Sequence, residues 1–131
     1  MANGTIAFDT LTTSDSKKTN TEKSIDTSYI FNGSAKTFFN VDQTSGAVLD
    51  GSFNVTSVAD NSTGDFTITL TNNLNDANDV AVPIGARNAF VQLHDTFITT
   101  STVEFLSRDT TPSVGDQDLN TGCIHGELAW Q

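Results

Sequence analysis

Phe66, Ile68 and Leu70 alternate with Thr67, Thr69 and Thr71, and this period-two run constrains the chain more than any other feature. Only an extended strand puts every second side chain on one face; a helix would scatter these apolar groups around its axis. Before the polar stretch "DNSTGD", Phe53 and Val55 share a face of their own. Two alternating segments around a glycine-containing polar loop are expected to form an antiparallel hairpin. Its core would be Phe53, Val55, Phe66, Ile68 and Leu70, with the threonines on the solvated face.

The rest of the chain favours the same class. Thr, Ser, Asn and Asp are abundant and disfavour helix, either by losing χ1 freedom or by competing for backbone hydrogen bonds. The same residues suit wet strand faces and Asx-rich turns. Residues 4–11 alternate through Ile6 and Phe8 and read as a first strand. "SIDTSYIF" and "AKTFFNV" read as two strands joined at Asn32-Gly33, a strong two-residue turn signal. In the second of these, Ala35, Thr37, Phe39 and Val41 share one face while Phe38 points the other way. Further strands are expected at "AVLD", on both sides of Gly85 in "VAVPIGARNAFVQL", in "TFITTSTVEFLS" and in "CIHGELAW". Pro83 places its strand near an edge or bulge. Phe97, Val103 and Phe105 are core candidates. The expected fold is all-β: an antiparallel β-sandwich, or a small Greek-key or jelly-roll-like barrel, with long polar loops.

With 131 residues, one domain spanning 1–131 is expected. Residues 12–24 lack any large apolar side chain and read as a polar loop or extended arm, long enough to suggest contact beyond the domain core. The formal charge is −10 with only six Lys and Arg, the nearest cluster being Lys17, Lys18 and Lys23. Nucleic acid and anionic membrane are therefore not expected as partners, since both require clustered basic side chains. Cys123 is the only cysteine, so no intrachain disulfide or thiolate cluster can form. No apolar run approaches a membrane span or signal-peptide core, and the general secretion route is not expected.

The chemical candidates read as structure. Asp60–Asp65 is oxygen-rich, but a calcium loop needs ligands at fixed alternate positions and a bidentate acid beyond them, and here those positions hold Asp60, Ser62 and Gly64. A turn is expected there, and a solvated loop at residues 75–79. His94-Asp95 and His125 have no metal-ligand spacing and read as strand-end histidines. No nucleophile elbow is present, and Cys123 sits in an apolar strand-like context where a thiol is usually inert. The Asn-x-Ser/Thr triplets at Asn3, Asn32, Asn54 and Asn61 are expected by chance in so Ser/Thr-rich a chain. A glycan platform would use exposed Tyr or Trp beside Asp and Asn, for which Tyr29 and Trp130 are the only residues of those types. No enzyme, cofactor or metal is expected.

"NGSAKTFFNVD" followed by "DGSFNVTSVADNSTGDFTITLTNNLNDAN" resembles a module of marine bacteriophage tail-fibre and virion-appendage proteins. In that family an "NGSAKAW" strand precedes a "DSFNVSS…DNGTGDYT" hairpin and a "DANY"-like turn. The matching positions are Asn32, Gly33, Ser34, Ala35 and Lys36; Ser52, Phe53, Asn54 and Val55; Asp60, Asn61, Thr63, Gly64, Asp65, Phe66 and Thr67; and Asp76, Ala77 and Asn78. The similarity covers the central third to half of the chain, and "GTIAFDTLTTS" and "HGELAW" look like the ends of such proteins. Phe38-Phe39 stands where the family has Trp, Ser62 replaces a Gly and Asp79 a Tyr. The resemblance implies a non-enzymatic structural protein on the exterior of a phage particle, β-rich and trimeric. Phe38 and Phe39 are the candidate subunit contacts, because burying one Phe stabilises by about 1.5–3 kcal/mol. The expected partners are further copies of the chain and other virion proteins of the tail; a capsid decoration or cement protein, and an adhesin head binding a host-surface glycan, are the alternatives.

Overall fold

The computed structural model describes residues 10–12, 24–78, 80–111 and 113–129. The strand expected at 4–11 and the arm expected at 12–24 fall almost wholly outside these residues. The chain divides into two compact units, Met1–Ser34 and Ala35–Gln131.

In the first unit, β1 (Thr10–Thr12) pairs antiparallel with β2 (Ser24–Asp26), and a short helix, α1 (Thr27–Gly33), follows. The hairpin expected at Asn32-Gly33 is therefore replaced: "SIDTSYIF" is a three-residue strand running into a helix. Both the amide and the hydroxyl of Ser34 donate to the Ile30 carbonyl, at 3.1 and 2.6 Å, and close the last turn. Gly33 is the last residue of this helix and is not among the residues with positive φ, so the turn expected at Asn32-Gly33 does not form.

The second unit is an antiparallel β-sandwich. One sheet has the order β4-β3-β10-β7, from β4 (Val48–Phe53), β3 (Ala35–Asp42), β10 (Asn120–His125) and β7 (Ile84–Ala86). The other has the order β5-β6-β9-β8, from β5 (Val55–Ser62), β6 (Asp65–Leu70), β9 (Thr102–Arg108) and β8 (Phe90–Ile98). Alternation along the strands turns Phe39, Val41 and Ile124 of the first sheet toward Phe66, Ile68, Leu70, Val103 and Phe105 of the second, and Leu74 joins them. Three phenylalanines form the centre, with ring centroids 5.0 Å apart for Phe39–Phe105, 5.2 Å for Phe66–Phe105 and 6.4 Å for Phe39–Phe66. Such pairs add about 0.5–1.5 kcal/mol to the burial of their area.

The β5–β6 hairpin forms as expected, and Phe66, Ile68 and Leu70 are its buried face. Phe53 is not part of that core. It ends β4 in the opposite sheet, paired with Phe38, and is 59% exposed. The chain changes sheets at Asn54, whose φ of 59° breaks the strand between Phe53 and Val55. Asparagine tolerates this left-handed conformation better than most residues. Its side chain also pins the corner: Oδ1 accepts from Asn72 N at 2.8 Å and Asn72 Nδ2 at 3.0 Å.

The turn of the hairpin is Thr63-Gly64, tighter than the whole Asp60–Asp65 stretch. Gly64 has φ 71°, and a Cβ there would lie 2.7 Å from the Ser107 carbonyl oxygen, so only glycine fits. Its amide donates to Asp116 Oδ1 at 2.6 Å, which anchors the loop between β9 and β10. Beneath that loop the Ser107 hydroxyl lies 2.7 Å from Gln43 Oε1, and Asn120 Nδ2 donates to the same oxygen at 3.0 Å. Two elements shift from their expected bounds: the break in "VAVPIGARNAFVQL" falls at Arg87–Ala89 and not at Gly85, and the last strand begins at Asn120. Pro83 precedes β7, an edge strand, and its carbonyl accepts from Cys123 N at 3.1 Å.

Candidate functional site

With the inner faces committed to the core, recognition falls to the outer faces and loops. On β3 the alternation separates the two candidate contact residues. Phe39 is 1% exposed, locked between Phe66 and Phe105, and cannot offer its ring to another chain. Phe38 points outward and is 47% exposed. Register places Phe53 and Cys123 beside it on the neighbouring strands, so Phe53, Phe38 and Cys123 form a row across β4, β3 and β10. The rings of Phe38 and Phe53 stack at 6.2 Å with an interplanar angle of 19°. The next outward row is Gly51, Asn40, Thr121 and Gly85. With Gly51 and Gly85 in that row, the rings of Phe38 and Phe53 remain 47% and 59% exposed. Cys123 Sγ lies 3.5 Å from His125 Nε2, two residues on along the same strand.

The outer face of the other sheet is polar at its centre. Register pairs Asp65 with Leu106 and Thr67 with Glu104, so Asp65 and Glu104 lie diagonally across β6 and β9 on the same face. His94 on β8 follows Leu93, which pairs with Phe105, and its Nδ1 is 3.2 Å from Glu104 Oε1. One ligand-type atom from each of Asp65, His94 and Glu104 lies within 4.8 Å of the others. From β5 the amide of Asn61 reaches over them, Nδ2 donating to Thr67 Oγ1 at 2.8 Å, Asp65 Oδ1 at 3.1 Å and Glu104 Oε1 at 3.4 Å. The Glu104 side chain is only 15% exposed. Burial, then the hydrogen-bonding and repulsive Asp65 carboxyl, push Glu104 above the usual carboxylate range, while His94 pulls the other way.

His94, expected at a strand end, lies within β8, and no motif singles out Glu104. Alternation shows that Glu104 points away from Val103 and Phe105. Only the register of three strands shows that it meets Asp65 and His94, and register is not written in any one strand. The side chain of Asp95 and all of Trp130 lie outside the described residues. Tyr29 is 71% exposed in the first unit. At residues 75–79, Asp76 Oδ1 accepts from Asn78 N at 2.8 Å, an Asx-type turn. Among the described residues, no helix is long and apolar enough to cross a membrane. No protein-family model matches the chain, and neither a curated protein nor a solved structure matches it.

Proposed function

We propose that this chain is a non-enzymatic structural protein of a bacteriophage particle, a small tail-fibre-like appendage module on the particle exterior. The observation that carries this reading is the stacked Phe38–Phe53 pair, two large rings held outward and about half exposed on a sheet face. A solvated sheet face normally carries polar side chains opposite a buried one, and an aromatic row there suits contact with another protein surface. The motifs behind the resemblance converge on this region: "NGSAK" leads into β3, and "SFNV" spans the corner where β4 gives way to β5. Further copies of the chain, in a trimer, and neighbouring tail proteins are the partners of this reading.

Antibody labelling of purified particles tests it. Signal at the tail supports the reading, and signal across the capsid faces replaces it with a decoration protein. Signal in infected cells but none on purified particles would sink both. Light scattering at micromolar concentration tests the trimer separately, since a monomer there refutes self-association of the isolated protein.

A further inference from the structure

The polar face opposite the aromatic row holds two carboxylates and an imidazole brought together from three strands. Such a grouping has an electrostatic cost. Two acids facing one another in a partly buried setting repel, and a positive charge among them relieves that repulsion. We propose that Asp65, His94 and Glu104 form a binding site for a divalent transition-metal ion of the zinc class.

The donor set selects the class. One imidazole nitrogen and two carboxylate oxygens suit zinc and its first-row neighbours. They fall short of the six to eight oxygens calcium takes, and magnesium is seldom held through an imidazole. The geometry needs one local adjustment, in which the Asn61 amide that donates to Asp65 Oδ1 and Glu104 Oε1 swings aside for the ion. Bonds of about 2.1 Å in a tetrahedral site put donors about 3.4 Å apart. The 3.2 Å between His94 Nδ1 and Glu104 Oε1 already meets that spacing, and the Asp65 carboxylate lies within 4.8 Å of both. Two of the ligands stand on regularly paired backbone: Asp65 opens β6, Glu104 is on β9, and these strands pair without a register shift, while the β8–β9 pairing becomes irregular after Leu93, beside His94. Three protein ligands leave a fourth position for water or for a donor from another protein. Among the described residues, no other three His, Cys, Asp or Glu side chains converge in this way.

Isothermal titration of zinc chloride into the full chain, after exhaustive chelation, tests the site. The expected result is one ion per chain with micromolar or tighter affinity, a rise in Tm on zinc addition, and tetrahedral visible absorption when cobalt(II) replaces zinc. Glu104→Gln and His94→Asn should each weaken binding at least tenfold, and Asp50→Asn, on the other sheet, should leave it unchanged. Melting curves of the metal-free variants establish that they fold, and Asp65→Asn serves if either does not. No binding by the native chain overturns the proposal. Binding that persists undiminished in all three ligand variants overturns it too, because zinc is then held elsewhere.

Discussion

Phe38 and Glu104 occupy equivalent places in the sandwich, each on an inner strand and each pointing away from the core the two sheets share. Around Phe38 the neighbours are Phe53 and Cys123, with glycines in the next row. Around Glu104 they are Asp65, Thr67, His94 and Asn61, with the Asn61 amide donating to these side chains of β6 and β9 and His94 Nδ1 3.2 Å from Glu104 Oε1. Inner faces of the same chemistry thus carry outer faces of opposite chemistry. Period-two alternation makes this possible, because the residues that build the core leave every other position free to vary. The aromatic face gains little from remaining in water, whereas the polar face gathers two carboxyls whose mutual repulsion a cation would relieve. The proposed association with another protein surface is assigned to the first, and the proposed ion site to the second.

The largest effect should come from a change that treats both faces alike. Phe105→Ala removes the ring that touches both Phe39 and Phe66, and should destabilise by about 3–5 kcal/mol, as large aromatic truncations in cores do. Urea unfolding measures the loss, and amide exchange should quicken in both sheets together. If exchange quickens in only one sheet, the two do not share a single core and the comparison fails at its root.

A smaller effect, confined to one side, is expected from the aromatic row. Phe38→Ser and Phe53→Ser should each cost about 1 kcal/mol, and a double-mutant cycle should return a coupling of about 0.5–1.5 kcal/mol for the stacked pair. Both substitutions should abolish self-association by light scattering while leaving the monomer folded. Trimers that survive both changes would take the contact away from this face.

The smallest effect is electrostatic and belongs to the other side. Glu104 releases its proton at higher pH in the folded chain than it does unfolded. The folded state therefore binds more protons between those two values, and stability falls as pH rises through that window. Metal-free Glu104→Gln should lose this fall and be more stable than the native chain near neutral pH, within about 0.5 kcal/mol, the scale of surface changes. Parallel pH–stability curves for the two proteins would show that Asp65 and Glu104 are not coupled. Asp42 and Asp109 act in the opposite sense: hydrogen bonds from Thr44 and Thr111 hold their carboxyls below the usual range. Their contribution is present above the ordinary Asp value and is lost as pH falls through the lowered one.

Much of the sandwich was legible in local pattern. The burial of Phe66, Ile68, Leu70, Val103 and Phe105, the outward turn of Phe38 and the β5–β6 hairpin all follow from alternation around polar turns. The misreadings share a cause, which is that one local signal serves several structures. Asn32-Gly33 suits a hairpin turn, yet the chain before it is helical. Phe53 and Val55 alternate as one strand would, yet Asn54 turns the backbone between them and sends them to different sheets.

By itself, then, the sequence determined the class of fold, which side of β3, β6 and β9 is buried, and the lack of clustered basic charge or paired cysteines. Alternation and composition act within a few residues, so these properties need no knowledge of the rest of the chain. The tertiary structure alone decided which outward residues become neighbours. Phe53 is fifteen residues from Phe38, and Glu104 is thirty-nine from Asp65. Their meetings depend on strand order and register, which arise only when the two sheets close over a common core.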